Sequence, residues 1–162
     1  MEATELSLLN QFKHLLKELD IPPCDLLLIG DGSGTMLPNS CGWHVSAFLP
    51  KHDKYAFFHG GASSGTNNYA ELMPYIHVLW HIDAKRKNKG PYKVEIVTDS
   101  ELTANCGSGK YSRKANRPLW AAIEWFESNN YEIGWRWVPR NTNYFSKLAD
   151  KRAGEIRKMM TL

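Results

Sequence analysis

Four acidic residues of this 162-residue chain stand where chemistry could use them: Asp31, Glu71, Asp99 and Asp150. Asp31 follows the apolar run Leu26-Leu27-Leu28-Ile29-Gly30, and Asp99 follows Tyr92–Thr98 (YKVEIVT), so each closes a strand-like segment. Glu71 lies in the first turns of a helical segment beside core-facing Leu72, and Asp150 lies on the last one, in KLADKRA. Each acid taken alone has an ordinary reading. Asp31-Gly32 is turn chemistry, Asp99 caps a short helix beginning at Ser100 or Glu101, and Glu71 and Asp150 sit on solvated helix faces. Taken together they differ. A carboxylate at the end of a buried strand needs a partner, and oxygen-rich clusters bind hard divalent cations. Two such ions about 3.5–4 Å apart clamp the attacking and leaving oxygens of an in-line phosphoryl displacement. Carboxylates without Cys or His beside them favour Mg²⁺ or Mn²⁺ over zinc.

The elements that must position these acids follow from periodicity. Residues 4–20 read as an amphipathic helix, with Leu9, Phe12, Leu16 and Leu19 at helical spacing, Thr4 as N-cap and Pro22-Pro23 as the stop. Asp25–Thr35, Gly42–Leu49 and Tyr55–Gly61 are strand candidates, the last two joined by the turn-like residues 50–53. Asn67–Arg86 is a helix with Leu72, Ile76, Leu79 and Trp80 on one face, and Pro74 either kinks it or marks a late start. Tyr92–Thr98 is a strand, Arg117–Ser128 a helix with Pro118 near its start, Tyr131–Val138 a strand and Tyr144–Met159 a final helix. A meander followed by crossovers predicts one mixed sheet with helices on its faces.

Composition narrows the function classes. At about 150 residues per domain the length gives roughly one domain, and 43% hydrophobic with 23% charged residues excludes a mostly disordered chain. No apolar run approaches the roughly 18 residues of a membrane span and no secretory signal opens the chain, so no membrane association is expected. Three cysteines, Cys24, Cys41 and Cys106, form no CxxC pair, which argues against a disulfide framework or zinc knuckle and fits a reducing cytoplasm. The net charge of +3 is uneven: residues 1–31 hold two Lys and six acids, and the rest holds 18 Lys/Arg against 11 acids. A basic body suggests a polyanionic partner, against the plainer reading of a solvated basic surface. His77 and His81 (HVLWH) lack the Glu of a zinc protease helix. Gly30-Asp31-Gly32-Ser33-Gly34 is not a phosphate loop, and the six tryptophans are expected mostly in the core.

Four blocks in order resemble type 1 ribonuclease H. They are Asp31-Gly32-Ser33 with Gly42-Trp43; Thr66-Asn67-Asn68-Tyr69-Ala70-Glu71-Leu72-Met73, similar to the family's TNN-x-x-EL segment; Thr98-Asp99-Ser100; and Trp137-Val138-Pro139-Arg140 followed by Leu148-Ala149-Asp150. The resemblance implies an α/β ribonuclease H-like fold: a mixed five-stranded sheet, antiparallel meander plus parallel strands, flanked by helices, with an extra N-terminal helix. It divides the chain into a helical extension over 1–24 and a catalytic domain over 25–162. It implies hydrolysis of the RNA strand of an RNA–DNA hybrid, leaving 5′-phosphate and 3′-hydroxyl ends, by a monomer using two Mg²⁺ ions, with Mn²⁺ as substitute. Asp31, Glu71 and Asp99 would be core metal ligands and Asp150 a fourth, more mobile one. Asp31 and Asp99 would contact both ions, and Glu71 would help place the attacking water near the ribose 2′-hydroxyl. Thr66 matches a pocket for a DNA phosphate, Asn67 and Asn68 match hybrid contacts or simply cap their helix, and Ser33 and Ser100 are further substrate contacts.

The chain departs from the family pattern in three places. Arg140 lies ten residues before Asp150, where many relatives carry a flexible His, and none of the six histidines lies in this region. Arginine cannot exchange a proton near neutral pH, so Arg140 would hold a phosphate electrostatically or else point to solvent after Pro139. The long basic insertion of some relatives is reduced to Gly107–Pro118, where Lys110, Arg113, Lys114 and Arg117 form a short binding loop or a solvated one. The leader lacks the paired aromatic and basic residues of a hybrid-binding module, and its apolar stripe is expected to pack on the body rather than bind a partner. Two other readings stand beside the first: a DNA-processing nuclease of the same fold, integrase- or resolvase-like, and a non-catalytic nucleic-acid-binding module.

Overall fold

The computed structural model describes residues 2–36, 39–63 and 67–160. Helix α1 (Glu2–Glu18) precedes strands β1 (Leu26–Met36), β2 (Asn39–Leu49) and β3 (Lys54–Ala62). Then come α2 (Asn67–Lys85), β4 (Tyr92–Thr98), α3 (Glu101–Gly107), α4 (Arg117–Glu127), β5 (Tyr131–Trp137) and α5 (Tyr144–Met159). The sheet order is β3-β2-β1-β4-β5. β1, β2 and β3 form the antiparallel meander, while β4 runs parallel to both β1 and β5.

The apolar run of β1, residues 26–30, is buried on both faces. Leu26 and Leu28, with Val45, Val94 and Ile96, face a core built with α2 and α4 through Leu72, Tyr75, Ile76, Leu79, Trp120, Ile123 and Phe126. Leu27 and Ile29, with Phe48 and Val97, face a second core made with α1 and α5 through Phe12, Leu15 and Phe145. The Phe12 ring lies stacked between Phe48 at 4.7 Å and Phe145 at 3.8 Å. α1 is thus part of the packing of the body, as its apolar stripe predicts.

Three details differ from the sequence reading. α1 begins before Thr4, which lies inside the helix and does not cap it. It also ends ahead of the prolines: Asp20 adopts the left-handed conformation (φ 51°), and Ile21 N–H bonds Leu16 O while Asp20 N–H bonds Lys17 O, which stops the helix. α2 runs through Pro74 with no late start. Half of the tryptophans are not core residues: Trp80, Trp125 and Trp137 are exposed, while Trp43 and Trp120 are buried. Trp80 and Trp125 lie beside the stripes formed by Leu72, Ile76 and Leu79 and by Trp120, Ile123 and Phe126, so their helices turn them outward. Among the described residues no helix is long and apolar enough to cross a membrane.

Candidate active site

Strand register brings the first two acids together. β1 and β4 are parallel neighbours with Ile29 opposite Val97, so Asp31 and Asp99, two residues further along, come side by side where that pairing stops. Asp31 does not close its strand, because β1 runs on to Met36 against β2. The chain leaves β1 toward β2 on one side, while β4 and β5 lie on the other. Such a divergence in an open α/β sheet leaves a crevice for a ligand. α2 supplies Glu71. Its first turn lies directly on β1 because Gly32 has no side chain: a Cβ there would fall 2.2 Å from the Ala70 carbonyl oxygen. α5 supplies Asp150. Asp31, Gly32, Ser33, Glu71, Asp99, Ser100 and Arg140 line one cleft of about 540 Å³.

The electrostatics are those of acids crowded in a poorly hydrated place. Burial, then the charges of Asp99 and Asp150 and a hydrogen bond with Asp150, push the Asp31 carboxyl from 3.8 up to about 8. The Gly32 N–H donates to its Oδ1 at 2.9 Å. Burial also raises Asp99, and the positive charge of Arg140 opposes that rise. Arg140 Nη2 donates to Asp150 Oδ1 at 2.7 Å, and the pair raises the arginine's already high pKa. Arg140 therefore faces the acids while its side chain stays solvent-accessible.

Glu71 is held from the other side. Its Oε2 accepts from Ser100 Oγ and from Thr103 Oγ1, each at 3.3 Å. Ser100 also caps α3, accepting from Thr103 N–H at 3.2 Å. The cap that is the ordinary alternative for Asp99 is thus made by Ser100, leaving the Asp99 carboxylate to the cleft. Beneath the site, the buried Tyr75 hydroxyl donates to Gly30 O at 3.1 Å. The Trp137 indole donates to Asp99 O at 3.1 Å. No role for Thr103 is named from the sequence, where the Ser100-Glu101-Leu102-Thr103 spacing is the available signal. Trp137 is named there only as part of the Trp137-Val138-Pro139-Arg140 block, without this contact.

The remaining predicted contacts are distributed unevenly. Asn67 and Asn68 open α2, and Thr66 lies outside the described residues. Ser33, at the cleft edge, accepts from Arg157 Nε at 3.0 Å. Lys110 and Lys114 are exposed, and Lys114 shares a smaller cleft with Glu71. Arg113 is spent internally, which corrects its expected role in substrate contact. Its guanidinium bonds Glu127 Oε1 at 2.7 Å and the carbonyls of Cys106 and Gly107 at 3.0 and 2.8 Å. It also lies 4.6 Å from the Trp120 ring centre. Arg117 pairs with Glu124 at 2.8 Å, so α4 neutralises half of the loop's basic charge.

The donor set fits a hard divalent cation. All four groups are carboxylates, and the raised Asp31 marks negative charge that a cation would offset. Among the described residues no three acids are drawn together as a finished cage, and Glu71 is turned to its two hydroxyl partners. The crowding has a measurable consequence without metal. Unfolded, Asp31 loses its proton near 3.8; folded, it keeps it to about 8. The folded state binds the extra proton between these values, so stability falls as pH rises through that window. In EDTA the Tm is expected to fall from about pH 5 to about pH 8.5, and Asp31→Asn, which cannot ionise, should flatten the fall. A wild-type Tm that rises over this range would contradict the crowding.

No family model matches the chain. A curated protein named Ribonuclease H, from Orientia tsutsugamushi (strain Boryong), is 29% identical over 150 residues, covering 80% of this chain and 81% of that protein. Among solved structures, the N-terminal RNase H domain of rv2228c from Mycobacterium tuberculosis superposes with a TM-score of 0.69 at 22% identity, covering 85% of this chain and 96% of that one. LC11-RNase H1 in complex with an RNA/DNA hybrid gives 0.66 at 22% identity, covering 83% and 97%. RNase H1 from the halophilic archaeon Halobacterium salinarum NRC-1 gives 0.60 at 21%, covering 83% and 98%. The mixed five-stranded sheet with its flanking helices is the fold of these neighbours.

Proposed function

We propose that this member of the ribonuclease H-like superfamily is a metal-dependent endonuclease that hydrolyses the RNA strand of RNA–DNA hybrids, leaving 5′-phosphate and 3′-hydroxyl ends. The observation that carries the reading is the gathering of Asp31, Glu71 and Asp99 in one polar cleft, with Asp150 bonded to Asp31. The name of the curated relative and the hybrid bound to one structural neighbour support the same substrate. Asp31, Glu71, Asp99 and Asp150 would hold Mg²⁺, two ions in this reading, with Mn²⁺ as substitute. Bound there, the ions would supply the positive charge that offsets the charge developing on the attacking and leaving oxygens.

The chain's own residues do the rest. Asp31 and Asp99, level with each other just past the paired stretch of β1 and β4, fix the floor against which the scissile phosphate lies. Glu71, steadied by Ser100 and Thr103, accepts a hydrogen bond from the attacking water or the ribose 2′-hydroxyl beside it. Arg140 leans on Asp150 and donates to a phosphate oxygen, a charge-assisted contact. Lys110 and Lys114 add attraction to the backbone, so binding weakens steeply with salt. Recognition rests on 2′-hydroxyls and helix shape rather than base sequence. The protein acts as a monomer in a reducing cytoplasm, in keeping with three buried free cysteines.

The test offers labelled RNA–DNA, RNA–RNA and DNA–DNA duplexes with Mg²⁺, Mn²⁺ or EDTA. The expected result is cleavage of the RNA strand of the hybrid with either metal and none in EDTA. Equal cleavage of the all-DNA duplex would favour the integrase-like reading, and binding without any cleavage would favour the non-catalytic one.

Arg140 gives a second measurement. Arg140→Ala is expected to lower turnover or weaken substrate binding by about 1–3 kcal/mol, far less than loss of a cleft acid. The wild-type pH–rate profile should lack a histidine-like limb between about pH 6 and 7, and Arg140→His should introduce one. Unchanged kinetics of Arg140→Ala at every salt concentration would remove the residue from the reaction.

A further inference from the structure

The geometry points to Arg157 as a positioning residue for the substrate strand, acting through Ser33. α5 lies flush on the sheet where Gly42 has no side chain: a Cβ there would fall 2.5 Å from both the Ala153 carbonyl oxygen and the Arg157 amide nitrogen. Gly42 is the register partner of Ser33 on β1. The missing side chain leaves Arg157 room to reach across β2, and its Nε donates to Ser33 Oγ at 3.0 Å. A guanidinium has donors and no acceptor, so Ser33 is the acceptor in this contact. The Ser33 proton must point elsewhere, and among the described residues no acceptor takes it.

Ser33 lines the acidic cleft. Its hydroxyl is therefore held as a donor toward whatever acceptor oxygen enters, with a cation behind it to polarise the O–H bond. A nucleic-acid strand presents such oxygens at every phosphate. Arg157 thus adds a neutral, oriented donor to a cleft that also holds three carboxylates and Arg140, without placing its own charge among the carboxylates. The inference rests on the hybrid reading of the cleft given above.

The experiment measures binding of a labelled RNA–DNA hybrid in EDTA by fluorescence anisotropy, alongside thermal melts. It uses wild type, Arg157→Ala, Arg157→Lys, Ser33→Ala and the double variant Ser33→Ala/Arg157→Ala. Each alanine variant is expected to weaken binding about tenfold. The double variant should bind no more weakly than either single one, because the two side chains act as one unit. Arg157→Lys, which keeps a charged donor, should recover part of the loss. Ser33→Ala disturbs little packing, so it reads the contact even if Arg157→Ala lowers the Tm. An unchanged Kd in Arg157→Ala, or losses that add in the double variant, would overturn the inference alone. A wild-type protein that binds no hybrid would overturn the functional reading and this inference with it.

Discussion

Asp99→Asn is expected to reduce hydrolysis of the RNA strand about a thousandfold or more while the protein stays folded. The amide keeps the shape of the side chain and removes the charge that would help hold a cation. The fold should tolerate the change because Asp99 caps nothing: Ser100 accepts the Thr103 N–H in its place. Indeed, Asp99 presses on Asp31 and raises its pKa, so losing the charge relieves a repulsion. In EDTA the Tm of Asp99→Asn should equal or exceed that of wild type. Mg²⁺ should raise the wild-type Tm by binding the native state and raise the Tm of Asp99→Asn less. Turnover within about tenfold of wild type would show that the cleft acids do not carry the reaction.

Phe12→Ala is expected to cost about 3–5 kcal/mol of stability, the usual loss for a large aromatic removed from a core. The ring is fully buried and stacked between Phe48 and Phe145. It therefore ties α1 to the sheet and to α5, the helix that carries Asp150. Against a total of about 5–15 kcal/mol for a domain, the loss is large enough to unfold part of the population. Denaturant titration should show a lower midpoint. A cost below about 1 kcal/mol would mean that α1 is a dispensable leader, whatever its packing.

Much of the architecture was legible in the residues because the signals are local. The apolar run before Asp31 requires a strand buried on both faces, and the alternation of Tyr92–Thr98 requires another. Every strand and helix named from periodicity is present, with ends shifted by a few residues. The ends moved where a backbone device outranked side-chain pattern, as when Asp20 in the left-handed conformation stops α1 before the prolines. Trp80 and Trp125 show the limit of composition: hydrophobic type does not decide burial when the helix turns the residue away from the stripe.

The site divides in the same way. Residue type and order were enough to single out Asp31, Glu71, Asp99 and Asp150, because few chemistries use two acids after apolar strand segments and two on helices without Cys or His beside them. Only the tertiary structure decided which groups answer one another. Asp150 reaches Asp31 from the far end of the chain because α5 settles on the glycines of β2 and β3. Glu71 meets Ser100 and Thr103 because Gly32 lets α2 touch β1. Arg113, basic in sequence, is consumed by Glu124, Glu127 and two carbonyls, while Arg140 leans over the acids. The physical reason is range. Strand and helix propensities act over a few neighbours, whereas burial, charge crowding and hydrogen-bond partnership exist only between groups that the packed sheet brings within a few ångströms.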